Sequence, residues 1–141
     1  MTYSKRIGSK EYEMIQFLMK ESPDILPKVI QLNIRNVKYE HSGTSIMSLN
    51  DDDKDIKKYH EKVVEKIRKL HSLGYLHGDA HGGNILIDEK DNVRLIDFEN
   101  SYKIDDVNDD IIEYFNNFYS PETKFINVKD IMNYEEIMYT I

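Results

Sequence analysis

Two short apolar runs, Ile85-Leu86-Ile87 and Val93-Arg94-Leu95-Ile96, flank the polar segment Asp88-Glu89-Lys90-Asp91-Asn92. This pattern reads as a β-hairpin, and it constrains the chain because it fixes what stands at its open ends, Asn84 and Asp97. A turn centred between Lys90 and Asp91 puts position 84 opposite position 97. Directly opposed residues on antiparallel strands share a face with Cβ atoms roughly 4.5–5.5 Å apart, so one small cation can touch both. A hard ion such as Mg2+ takes oxygen ligands at about 2.0–2.1 Å and keeps positions for water and phosphate. One carboxylate plus one amide oxygen suits it. Asp79 lies across the Gly82-Gly83 turn from Asn84, close enough to stand beside the metal as a base without being its ligand.

Two other readings of the same stretch are open. Asp, Asn and Gly are ordinary turn residues, so the segment could be a surface hairpin behind a glycine-rich loop. Alternatively His77, Asp79 and His81 could form a transition-metal cluster, since imidazole suits zinc or iron; that reading leaves Asn84, Asp97 and the hairpin register without a purpose.

The clearest helix spans about Asp53 to Leu73, with Ile56, Tyr59, Val63, Ile67 and Leu70 on one face. Asp51-Asp52-Asp53 at its start and Lys66, Arg68, Lys69 and His71 near its end complement the helix dipole, and Gly74 stops it. The chain then passes through Tyr75-Leu76 into the glycine-rich loop. Upstream, Tyr3–Ile7 reads as a short strand. A helix follows from Ser9 to Glu21, with Ser9 as N-cap and Tyr12, Ile15, Leu18 and Met19 apolar, ended by Ser22-Pro23. Two strand-like stretches come next, from Pro27 to Asn33 and from Val37 to Tyr39. Downstream, Ile111, Ile112, Phe115, Phe118 and Tyr119 predict a helix broken near Pro121, and an amphipathic segment runs from Val128 to Tyr139.

With 141 residues, 40% hydrophobic and 11% aromatic, the chain can bury a real core, and its 32% charged residues mix both signs. The net charge of −7 gives nothing to attract a nucleic-acid backbone or an anionic membrane. Absence of cysteine excludes disulfides and thiolate chemistry. Without a signal peptide or an apolar run of transmembrane length, the expected location is cytoplasmic, in a host cytosol if the source is a virus or a secreted effector.

Residues from about 55 to 100 resemble the catalytic core of the protein-kinase-like superfamily. His77-x-Asp79-x-x-x-x-Asn84 matches the catalytic loop, and Asp97-Phe98-Glu99 stands where the family has Asp-Phe-Gly. The resemblance implies ATP and Mg2+ as cofactors. Asp79 would orient the acceptor hydroxyl and accept its proton, Asn84 and Asp97 would hold magnesium on the nucleotide phosphates, and His77 would support the loop. Leu86 would form the floor under the adenine ring. By the same alignment Tyr39 holds the gatekeeper position and Glu40 to Ser42 form the hinge to adenine. Lys5 is the candidate phosphate-contacting lysine with Glu13 as its helix partner, for which Lys10 or Glu11 could substitute.

The implied fold is α+β, a protein-kinase-like two-lobe domain over residues 1–141, truncated in both lobes. Residues 1–45 would be a small-lobe remnant and hinge without the glycine-rich hairpin, and 46–141 a short helical large lobe. The pattern departs from Ser/Thr protein kinases at His81, where they usually carry lysine, and at Glu99 in place of glycine. This loop is similar to those of atypical kinases, aminoglycoside phosphotransferases and choline-kinase-like enzymes. Three functions follow: a minimal atypical Ser/Thr protein kinase with a protein substrate, a small-molecule phosphotransferase, or a non-catalytic mimic that regulates another protein. An activating partner could cover the nucleotide site.

Overall fold

The polypeptide begins in an extended strand, β1 (Thr2–Arg6), that turns at Ile7-Gly8 into helix α1 (Ser9–Glu21). The computed structural model describes residues 2–40, 43–49, 53–119, 122 and 124–140. In α1 the buried positions are Glu11, Met14, Ile15 and Leu18, spaced as one helical face. That face is rotated from the expected one: Met19 is exposed, Tyr12 sits at the margin of the core, and Glu11 is inside. The N-cap is Gly8, with no side-chain cap, and the predicted cap Ser9 is the first helical residue.

After a short turn at Pro23–Ile25, β2 (Val29–Leu32) and β3 (Asn36–Glu40) form a hairpin. Its turn is tied by the Asn33 side chain, which accepts bonds from the backbone N–H groups of Arg35 and Asn36, each at 2.9 Å. The antiparallel sheet has order β1-β3-β2, with Tyr3 opposite Tyr39 and Lys5 opposite Val37. This register keeps Val37 and Tyr39 in the core at 0% and 2% exposure.

The chain continues through β4 (Thr44–Ser45) to α2 (Asp53–Ser72). Tyr59, Val63, Ile67 and Leu70 are its buried stripe, as the periodicity predicts. Of the expected positions, Asp51 and Asp52 and the side chain of Ile56 fall outside the described residues. Gly74, at φ +94°, ends the helix, and β5 (Tyr75–Leu76) leads into the loop 77–84.

β6 (Ile85–Ile87) and β7 (Val93–Leu95) form the expected hairpin, with β4 on its other edge. The register is one residue away from the predicted one. Ile85 pairs with Leu95 and Ile87 with Val93, so the turn is centred on Lys90 and Asn84 opposes Ile96, whose N–H it receives at 3.0 Å. The cause is local. The Asp88 N–H donates to the Asn92 carbonyl and the Asp88 carboxylate takes the N–H groups of Lys90 and Asn92, while Asp91 adopts φ +63°. This is a three-residue loop ending in a left-handed residue, so its centre is Lys90 and not the point between Lys90 and Asp91 expected from sequence. The Tyr59 hydroxyl holds Asp91 from α2 at 2.9 Å.

β8 (Tyr102–Lys103) pairs with β5, and α3 (Asp109–Tyr119) and α4 (Val128–Glu135) follow. Asn127 and Asp130 form a reciprocal capping box at the start of α4. The helix stops short of the predicted Tyr139, and residues 138–140 form a single tighter turn. Pro121 lies outside the described residues. Two apolar clusters hold the elements together. The larger joins α1, α2, the sheet and the hairpin; the smaller gathers Leu76, Phe115, Phe125 and Ile131 beneath β5 and β8. The result is the α+β kinase-like arrangement expected from sequence, and no helix among the described residues is long and apolar enough to cross a membrane.

Candidate active site

His77 begins the loop that carries the chemistry, and it is fully buried. Its Nε2 donates to the carbonyl of Ile96 at 2.8 Å, its Nδ1 accepts the N–H of Asp79 at 3.0 Å, and its ring packs on Phe98. Both nitrogens are thus spent in joining the loop to the segment after β7. This removes His77 from any transition-metal set, and the grouping of possible ligand carboxylates among the described residues is elsewhere.

Gly78 has φ +91°, and a Cβ there would lie 1.9 Å from the carbonyl oxygen of Asn100. Only glycine fits such a position. The backbone N–H groups of His77 and Gly78 both donate to the carboxylate of Glu135, at 3.1 and 2.6 Å, and His71 of α2 contacts it at 2.8 Å. Glu135 is fully buried and was not anticipated. Its signal was present in the helix spacing, since position 135 falls on the apolar stripe of Ile131 and Met138.

Asp79 projects from this anchored turn. Asn84, itself 7% exposed, donates through Nδ2 to the Asp79 carbonyl at 2.9 Å and lies 3.4 Å from its Oδ2. Burial raises the Asp79 pKa above the ordinary carboxylate value; the charge of Asp97 adds to the rise, while His81, His77 and the Asn84 amide oppose it. With its nitrogen committed to Asp79, the ligand atom Asn84 retains is its amide oxygen.

Asp97 reaches the same region by a route the sequence did not suggest. Its φ is +66°, so the alternation of strand β7 is broken just where a continued strand would have turned residue 97 to the face opposite Asn84. Its Oδ1 meets the ammonium of Lys5 at 2.8 Å, and Lys5 also bonds both carboxylate oxygens of Glu11, at 3.0 and 3.1 Å. Burial alone would lower the Lys5 pKa, but the bonds to Asp97 and Glu11 outweigh it and raise the value. Glu11 is 2% exposed and takes the N–H of Phe98 at 2.9 Å.

Glu13, the expected partner of Lys5, is therefore replaced by Glu11. Two residues along a helix is a rotation of about 200°, so the two carboxylates face opposite ways. Glu13 borders a separate cavity with Lys10, Tyr75, Tyr102 and Lys103. Lys10 lies 3.5 Å above the ring of Tyr102.

A cavity of about 270 Å³ opens beside this network, lined by Tyr3, Pro27, Tyr39, Glu40, Gly43, Gly83, Leu86 and Ile96. Leu86 and Glu40 thus share one pocket. Ser42 and His41 lie outside the described residues. Tyr3 stacks on Tyr39 with ring centroids 6.2 Å apart, and burial raises the Tyr39 pKa.

Among the described residues, the carboxylates of Asp97, Glu11 and the exposed Glu99 bring oxygen donors within 4.8 Å of one another. An all-oxygen set suits magnesium.

The protein kinase domain family matches residues 31–132. A RIO-type serine/threonine-protein kinase, Rio2 of Methanocaldococcus jannaschii, is 29% identical over 79 residues, covering 56% of this chain and 24% of that protein. A 3-deoxy-D-manno-octulosonic acid kinase of Vibrio parahaemolyticus is 43% identical over 44 residues, covering 31% of this chain and 18% of that enzyme. The matched part is thus a quarter or less of either relative. A family match across well over half of the sequence, together with a loop, an Asp-Phe segment and a strand lysine converging beside one cavity, establishes that the chain belongs to the protein kinase domain family.

Proposed function

We propose that the chain is an ATP- and Mg2+-dependent phosphotransferase acting in a cytosol as an atypical Ser/Thr protein kinase. Residues 1–45 form its nucleotide-facing part and 46–141 its larger, loop-bearing part. The observation that carries the reading is Lys5, which bridges Glu11 of α1 and Asp97 and so brings a cation and a cation-binding carboxylate to the side of the cavity.

In this reading adenine enters between Tyr3, Tyr39 and Leu86, with the backbone at Glu40 at its edge. Lys5 neutralises phosphate oxygens, and Glu11 fixes the lysine. Asp79 receives the acceptor hydroxyl, orients it towards the γ-phosphate and takes its proton as the new P–O bond forms and the bond from the γ-phosphorus to the β–γ bridging oxygen breaks, ADP leaving with that oxygen. Its raised pKa makes it a better proton acceptor than a solvated aspartate. Asn84 and Asp97 would hold magnesium, which neutralises phosphate charge when bound. Such catalysis rests on positioning and charge stabilisation, so a small scaffold suffices.

A small-molecule phosphotransferase is the second reading, supported by the match to an enzyme named as a sugar-acid kinase. The test is incubation with Mg-ATP, a protein panel and a small-molecule panel, read by mass spectrometry, for wild type, Asp79→Asn and Asp97→Asn. Transfer to serine or threonine that both substitutions abolish is expected. Transfer confined to a sugar or amino alcohol would select the second reading. A chain that neither transfers phosphate nor gains melting temperature with Mg-ATP would be a non-catalytic regulator.

A further inference from the structure

His81 stands beside Asp79 in a way that the family pattern does not explain. It is the N-cap of the turn Gly82–Asn84, and its Nδ1 accepts the backbone N–H of Gly83 at 3.0 Å. A nitrogen that accepts a hydrogen bond carries no proton, so the proton of the neutral ring is on Nε2. That atom lies 3.6 Å from Asp79 Oδ2 and 3.3 Å from Asn84 Nδ2. Because Asn84 Nδ2 is itself a donor, to the Asp79 carbonyl at 2.9 Å, the oxygen that a hydrogen on Nε2 faces is Asp79 Oδ2. At 3.6 Å this is a charge–dipole contact longer than a hydrogen bond.

The ring is partly exposed and lies along the turn. A Cβ on Gly83 would lie 2.7 Å from His81 Cε1 and 3.0 Å from Nδ1, so glycine at 83 is what lets the imidazole lie flat against the turn. The ring is held on one side by the Gly83 N–H, and its second nitrogen stands between Asn84 Nδ2 and Asp79 Oδ2.

We infer that His81 is a positioning residue for Asp79: an imidazole whose Nδ1 is held by the Gly83 N–H and whose Nε2 faces the Asp79 carboxylate, biasing its orientation towards the acceptor hydroxyl. This rests on the phosphotransferase reading. It differs from what lysine would do at this position, since lysine brings a mobile full charge and no locked geometry.

The bland role is that of a turn cap, which asparagine fills equally well. His81→Asn keeps an acceptor for Gly83 and removes the distal N–H. His81→Gln sacrifices the cap but returns an amide N–H to the distal position. The experiment measures kcat, the KM for ATP and the melting temperature of wild type and both variants, with the imidazole tautomer of the wild type read by two-bond proton–nitrogen correlation spectroscopy.

His81→Asn is expected to melt like wild type and keep its KM while kcat falls about tenfold or more, as misplacement of a reacting group does. His81→Gln is expected to recover most of that loss, and the wild-type ring to carry its proton on Nε2. Wild-type kcat in His81→Asn, no recovery in His81→Gln, or a proton on Nδ1 would each overturn the inference. A wild type that transfers no phosphate would instead overturn the functional reading and, with it, the role given to His81.

Discussion

Glu135, at the end of the last helix, accepts the backbone N–H of Gly78 at 2.6 Å, so the loop bearing Asp79 is fastened from beneath by a side chain 57 positions away. The same carboxylate takes the N–H of His77 and meets His71. Removing it by Glu135→Ala leaves two buried N–H groups without acceptors. Each such group costs about 1–3 kcal/mol, so a loss of about 3 kcal/mol or more is expected in urea denaturation. Glu135→Gln, which retains one acceptor oxygen, should lose less.

Asp79 is held where its charge is disfavoured, and this fixes a sign. Its folded-state pKa is raised above the unfolded value, so its contribution to stability is fully present below the unfolded pKa and is lost as pH rises through the folded one. Asp79→Asn should therefore melt higher than wild type at neutral pH while transferring no phosphate. The difference should shrink and vanish as pH falls below about 4, where the carboxyl is protonated in both states. Paired melting curves from pH 3 to 8 check it.

The helix phase of α1 separates two neighbouring carboxylates. Lys5→Ala and Glu11→Gln are expected to lower kcat/KM for ATP by a hundredfold or so, an effect of about 2.7 kcal/mol on transition-state binding. Glu13→Gln, facing the separate cavity with Tyr102, should stay within twofold. Steady-state kinetics of the three variants decides the assignment; a defect confined to Glu13→Gln would reverse it.

Asp24 gathers Ser22, Lys66 and Lys69 around one carboxylate at 2.7 to 3.0 Å, and its carbonyl receives the guanidinium of Arg94. Burial would raise its pKa, but the bonds from Lys69, Ser22 and Lys66 hold it well below the usual carboxylate range. Its stabilising contribution is present above the unfolded pKa near 4 and is lost as pH falls through the folded value. Asp24→Asn should thus cost stability at pH 7 and little in strong acid, as denaturation at the two pH values will show.

Long-range periodicity made α2 legible to its last turn, because four apolar positions at helical spacing leave one choice of face. The hairpin was equally plain as a hairpin, yet its register turned on a single residue: Asp91 in the left-handed region makes the loop odd and moves Asn84 from Asp97 to Ile96. Asn84 and Asp79 were named from the spacing of the loop and hairpin, and Lys5 only as the candidate that the family resemblance implied. Glu11 was open to view only as a substitute for Glu13, since a helix whose start is known to within one residue does not fix which side chains point inward. Glu135 was passed over because a carboxylate on an apolar stripe looks like an interruption, when in fact the backbone of a distant loop is its partner.

The left-handed backbone at Asp97 also governs how the site can be interrogated. Most L-residues resist that conformation, while asparagine and aspartate tolerate it. Alanine at 97 would therefore remove a ligand and relax the chain in one stroke, shifting Phe98 and the Glu11 bond to its N–H. Asparagine separates the two. An inactive Asp97→Asn with intact thermal stability isolates the loss of charge, whereas an inactive Asp97→Ala would not tell a missing carboxylate from an unkinked chain.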